Sequence, residues 1–130
     1  MAVRRRNDYD VTNLVQTTDP DDIHGAIGRI FHALYPKSAN NAIAQAISDL
    51  TRLHRGEYPG YFACDTAYHD LQHTLDVTLA MARIMAGYVR EGQNPRIDAD
   101  LFSFGILAAL FHDAGYLRRL SDKRHRNGAE

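Results

Sequence analysis

Apolar residues in this chain recur at helical spacing in four successive segments, and no stretch alternates with period two, which confines the chain to helix-on-helix architectures. The first segment opens with Asp19-Pro20-Asp21-Asp22. Asp19 is placed to cap a helix, Pro20 suits its first position, and the acids suit the positive dipole end. Ile23, Ala26, Ile27, Ile30, Phe31 and Leu34 then share one face, and Pro36 stops the run. A second helix is expected from a Ser38 cap to Leu53, turning Ala42, Ile43, Ala46, Ile47 and Leu50 inward. Gly56, Pro59 and Gly60 mark a loop whose Tyr58, Tyr61 and Phe62 are expected to pack over the helices or wall a pocket. A third helix is expected over residues 70–90, with Leu71, Leu75, Thr78, Leu79, Ala82, Met85 and Val89 inward. A turn at Gly92, Asn94 and Pro95 follows. The fourth is expected over 99–116, capped by Asp98. Being apolar almost all round, it is expected to be the most buried element.

At 130 residues the chain suits one domain with a core of its own, here an all-α bundle of about four main helices spanning 18–130. Residues 1–17 are polar and without period, and are expected to form a mobile N-terminal arm or a strap on the surface. Fifteen basic and 16 acidic residues leave a formal charge of -1, which gives no footprint for a nucleic-acid partner. The longest apolar run, residues 104–111, is far too short to span a bilayer, so no membrane partner is expected. A single cysteine, Cys64, cannot close an internal disulfide, and no apolar stretch follows Arg4-Arg5-Arg6 as a secretory leader requires. A cytoplasmic location is the expectation.

The run from Leu107 to Tyr116 delivers His112 and Asp113 side by side and then breaks at Gly115. Burying such a doublet is costly unless something strongly polar satisfies it, and a divalent ion does so economically. Imidazole with carboxylate suits Mn, Fe, Zn or Ni, and carboxylate suits Mg. Upstream, His69 and His73 stand four apart in Tyr68-His69-Asp70-Leu71-Gln72-His73-Thr74-Leu75-Asp76-Val77, so they leave one helix face on successive turns, about 6 Å apart. One is placed to bind an ion while the other reaches toward a substrate. His24, His32 and His54 read as surface or satisfied structural histidines, and Cys64 as an ordinary thiol with no basic cluster to activate it.

The order Tyr-His-x-x-x-His-x-x-Asp-Val, some forty residues of helix-forming sequence, then Ala-Ala-Leu-Phe-His-Asp-Ala-Gly resembles the HD superfamily of metal-dependent phosphohydrolases, and most of all its cyclic-nucleotide phosphodiesterase branch. The resemblance covers residues 68–117. It implies an HD-domain-like helical bundle, with His73, His112 and Asp113 as metal ligands and His69 as general acid toward the leaving oxygen. It implies that Asp76 orients an imidazole from behind. The activity implied is hydrolysis of a phosphate ester, a nucleotide or cyclic nucleotide, by metal-activated water.

The superfamily pattern also carries a final aspartate far downstream, which does not occur before Glu130, and its phosphodiesterase branch has a histidine where this chain has Tyr116. The chain is therefore expected to hold the N-terminal part of the full fold, to leave apolar surface on its fourth helix, and to form a homodimer or higher oligomer through the third and fourth helices. Two other readings stand beside the hydrolase. One is a catalytically inactive HD scaffold serving as an interaction module. The other is an HD-type iron oxygenase, since two histidines and a carboxylate also describe a non-haem iron face.

Overall fold

A computed structural model of the protein describes residues 7–64 and 70–114. Among them are four helices and no sheet: α1 (Pro20–Leu34), α2 (Asn41–His54), α3 (Leu71–Arg90) and α4 (Ala99–Phe111). The all-α bundle expected from the apolar spacing is the fold found. No helix of the described residues is long and apolar enough to cross a membrane.

Three helix starts are the ones written in the sequence. Asp19 accepts from Asp21 N at 2.9 Å, Asp70 from His73 N at 2.9 Å and Asp98 from Leu101 N at 2.8 Å, each satisfying a backbone donor that the first turn leaves without a partner. The second start differs from expectation. Helix α2 begins at Asn41 after Asn40, whose side chain makes no capping bond, rather than from Ser38.

The core forms where the four stripes meet. Ile23, Ile27 and Phe31 of α1 pack with Ile43, Ile47 and Leu50 of α2, Leu75 and Leu79 of α3, and Phe102, Ile106 and Leu110 of α4. Each such side chain contributes ~1.5–3 kcal/mol when fully buried. At one end Phe31, Tyr35 and Phe102 form an aromatic cluster with ring centroids 5.3 to 5.8 Å apart, and the Tyr35 hydroxyl donates to Ile97 O at 2.6 Å. That cluster ties the end of α1 to the start of α4.

Two expectations about burial need correction. Ala42 is exposed, because the inward stripe of α2 runs through Ile43, Ala46, Ile47, Leu50, Thr51 and His54 instead. Helix α4 is not buried all round. Phe102, Ile106, Ala109 and Leu110 face the core, while Leu101, Phe104, Ala108 and Phe111 are exposed. In the loop after α2, Tyr58 and Phe62 are 41% and 38% exposed, and Tyr58 meets Tyr61 edge to face at 6.4 Å with the guanidinium of Arg52 from α2 over its ring.

From residue 7 onward the N-terminal segment is a strap packed on the bundle. Val15, Thr17 and Asp10 are buried, and a bridge between Tyr9 and Gln16 closes the loop. The Asp10 carboxylate accepts from Val15 N at 3.0 Å, Leu14 N at 3.2 Å and the Thr12 hydroxyl, and pairs with Arg83 of α3 at 2.6 Å. Burial alone would raise the pKa of Asp10, but the bonds from Val15, Thr12 and Arg83 outweigh it and hold the group below the ordinary carboxylate range. Gln72 adds a second tie, donating to Asn7 O at 2.6 Å and to the Thr17 hydroxyl at 3.1 Å. The strap thus grips α3 beside His73.

Candidate metal centre

Helix α4 ends at Phe111, short of the expected 116, so His112 and Asp113 sit in the turn after it rather than on its face. The imidazole itself takes part in that ending. His112 Nδ1 lies 2.6 Å from Ala109 O, one of the carbonyls that a helix C-terminus leaves without a partner. Helix α3 enters from the other side. Its Asp70 cap fixes the first turn and sets His73 one residue behind Gln72, which the strap holds.

These elements bring His73, His112 and Asp113 together, with one donor atom from each lying within 4.8 Å of the others. His73 Nε2 is 3.3 Å and His112 Nε2 is 3.1 Å from the same Asp113 oxygen, Oδ2, and the two rings are tilted at 5.6 Å. The Asp113 side chain is 11% exposed, whereas those of His73 and His112 are 38% and 36% exposed. The carboxylate is thus at the floor and the imidazoles at the rim.

The hydrogen bonding at His112 decides whether the group suits a cation. A carbonyl only accepts, so His112 Nδ1 must carry a hydrogen. In the neutral ring Nε2 then presents a lone pair to a carboxylate oxygen 3.1 Å away. Two lone pairs facing each other at that distance repel unless a positive charge lies between them. A proton shared by the ring and the carboxylate, or a metal ion, supplies it. A ring whose far nitrogen donates to a backbone carbonyl is also the usual arrangement of a metal-bound histidine. Two imidazoles and one carboxylate match borderline divalent ions, and the donor set fits such a group.

Asp76 lies one turn farther along α3, half-buried. His69, assigned to proton transfer by the resemblance, lies outside the described residues, as do Tyr68 and Tyr116.

One residue beside the site was set aside in the sequence reading and is corrected here. His54, the last residue of α2, is neither on the surface nor satisfied. It is 5% exposed, and its Nδ1 is buried with no hydrogen-bond partner. Burial lowers its pKa below the ordinary imidazole value, and Asp70 and Asp113 are close enough that their charges pull the other way. Its position was readable, since 54 follows Leu50 by four along the inward stripe of α2.

Two open clefts among the described residues lie elsewhere. One, of about 310 Å³, is lined by Asp19, His24, Arg52 and Arg55 between α1 and α2, and one of about 410 Å³ by Tyr35, Arg96 and Asp98. Neither is lined by His73, His112 or Asp113. Donor chemistry singles out the metal centre: among the described residues this is the group of imidazole and carboxylate donors that converges on a point. Compared with known proteins, the chain matches no family model, no curated protein and no solved structure.

Proposed function

We propose that the protein is a metal-dependent phosphohydrolase of the HD type, acting on a small phosphate ester such as a nucleotide or cyclic nucleotide in the cytoplasm. The observation that carries the reading is the convergence of His73 Nε2, His112 Nε2 and Asp113 Oδ2 from two separate elements. The sequence order of these residues, with His69 four before His73, is the second support.

A divalent ion at this group would activate water near neutral pH and polarise a phosphoryl oxygen. The protein's own residues do the rest. Asp113 supplies the one negative charge of the donor set from the floor of the site, and the half-exposed imidazoles leave the outer side open to an anionic ester. The Ala109 carbonyl holds the His112 ring in the tautomer that keeps Nε2 free as a donor. Asp76 is assigned to orienting an imidazole, and His69 to protonating the departing oxygen.

Metal analysis of protein purified without chelator tests the reading directly. His112→Ala and Asp113→Ala should each remove most of the bound metal while leaving the helical dichroism intact. His69→Asn should keep the metal and lower phosphodiesterase turnover by ~10²- to 10⁴-fold. Unchanged metal content in both ligand variants would end the site assignment. Metal retained with no turnover of any phosphoester would favour the inactive scaffold, and oxygen consumption with ferrous ion the iron oxygenase.

A further inference from the structure

All three groups of the metal centre stand at helix ends, where backbone bonding is thinnest. His112 and Asp113 follow the last turn of α4, and His73 is the third residue of α3. The N–H groups of a first turn have no carbonyl four residues back, so that turn frays unless something outside the helix holds it. Here Asp70 accepts from His73 N at 2.9 Å, and Leu71 packs against the core on the inner side. The outer side is held by Gln72. Its amide nitrogen donates to Asn7 O at 2.6 Å and to the Thr17 hydroxyl at 3.1 Å.

Those acceptors are themselves fixed. Thr17 is fully buried and its N donates to Asp8 O at 2.9 Å, while Gln16 N donates at 2.7 Å to Asp22 in the first turn of α1. The strap meets α3 again at Arg83, which pairs with Asp10 at 2.6 Å. Residues 72 and 83 are about three turns and ~16 Å apart on nearly the same side of a helix. The strap is therefore a brace along α3, and its near end grips the residue before His73.

We propose that Gln72 is a positioning residue for the metal centre: by tying the first turn of α3 to the strap it keeps the His73 imidazole within reach of His112 and Asp113. This inference rests on the metal-site reading. Without the tie the turn is formed only part of the time, and apparent metal affinity falls by that fraction. Loss of two neutral hydrogen bonds sets the fall at ~5- to 10-fold. The coupling is reciprocal, so bound metal must hold the strap down by the same factor.

Calorimetric titration of the full chain with Zn²⁺ tests this. Gln72→Met keeps the side-chain length and the helix preference but removes both bonds. It should bind Zn²⁺ ~5- to 10-fold more weakly than wild type with unchanged helical dichroism. Asp10→Asn, which acts on the tie three turns away, should lower Tm more and Zn²⁺ affinity less. Affinity that simply follows Tm across the three proteins would overturn the proposal. Hydrogen exchange provides a measurement that does not depend on a variant folding. Saturation with Zn²⁺ should slow exchange of the Thr17 amide in wild type, and in Gln72→Met that slowing should vanish. Equal affinity in wild type and Gln72→Met, or Thr17 exchange in wild type indifferent to Zn²⁺, would overturn the role of Gln72 and leave the metal centre standing. A wild-type chain that binds no Zn²⁺ would overturn both.

Discussion

Replacing Asp10 with asparagine isolates the bond by which the N-terminal strap holds α3. The amide oxygen can still accept from Val15 N and Leu14 N, which both use Oδ1. The amide nitrogen, however, replaces Oδ2 and meets the Arg83 guanidinium 2.6 Å away, donor against donor. Breaking a fully buried ion pair costs ~3–5 kcal/mol. The Arg83 side chain is 37% exposed and can turn to water, so the loss should sit lower, at ~2 kcal/mol. For a domain of this size that is a fall in Tm of ~6–10 °C at pH 7. The pH dependence supplies an internal control. The folded state lowers the pKa of Asp10, so its stabilisation is complete above the unfolded value of ~3.9 and is lost as pH falls below it. Urea unfolding of both proteins should therefore show a gap that is constant from pH ~7 to ~5 and narrows to less than half by pH ~2.5. Adding Arg83→Gln to Asp10→Asn should cost little more. Equal Tm values at pH 7, or a gap that persists undiminished into acid, would refute the argument that the charge of Asp10 holds the strap.

His54 gives a second pH window, separate from the first. Its folded pKa is lowered by burial, so the contribution of its neutral form is present above ~6.5 and is lost as pH falls through the range in which the unfolded chain takes up a proton. Wild type should lose stability from pH ~7 to ~5, and His54→Leu should lose measurably less in the same urea titrations. Gly105→Ala should leave stability within ~1 kcal/mol of wild type, since the helix gain offsets the displacement of the flexible Met85 end, whereas Gly105→Leu should cost ~1–3 kcal/mol by thermal unfolding.

What the sequence determined by itself was local. Helical spacing fixed four helices and most of their inward faces, and Asp19, Asp70 and Asp98 marked three of the starts, because capping and periodicity depend only on near neighbours. The histidine and aspartate types that gather at the site were also visible, because a His-Asp doublet beside an apolar run and histidines four apart are patterns within one segment. The tertiary structure decided everything that depends on distant segments. It ended α4 at Phe111 and turned His112 and Asp113 toward α3, with the His112 ring on the Ala109 carbonyl. It buried His54, which looked like a surface residue, because α2 ends against the site. It buried Asp10 in a strap that composition alone marks as an arm, because Arg83, far along the chain, lies across from it. It also left half of α4 open despite an apolar sequence on every side, since hydrophobicity says that a face seeks cover but only packing shows which face finds it.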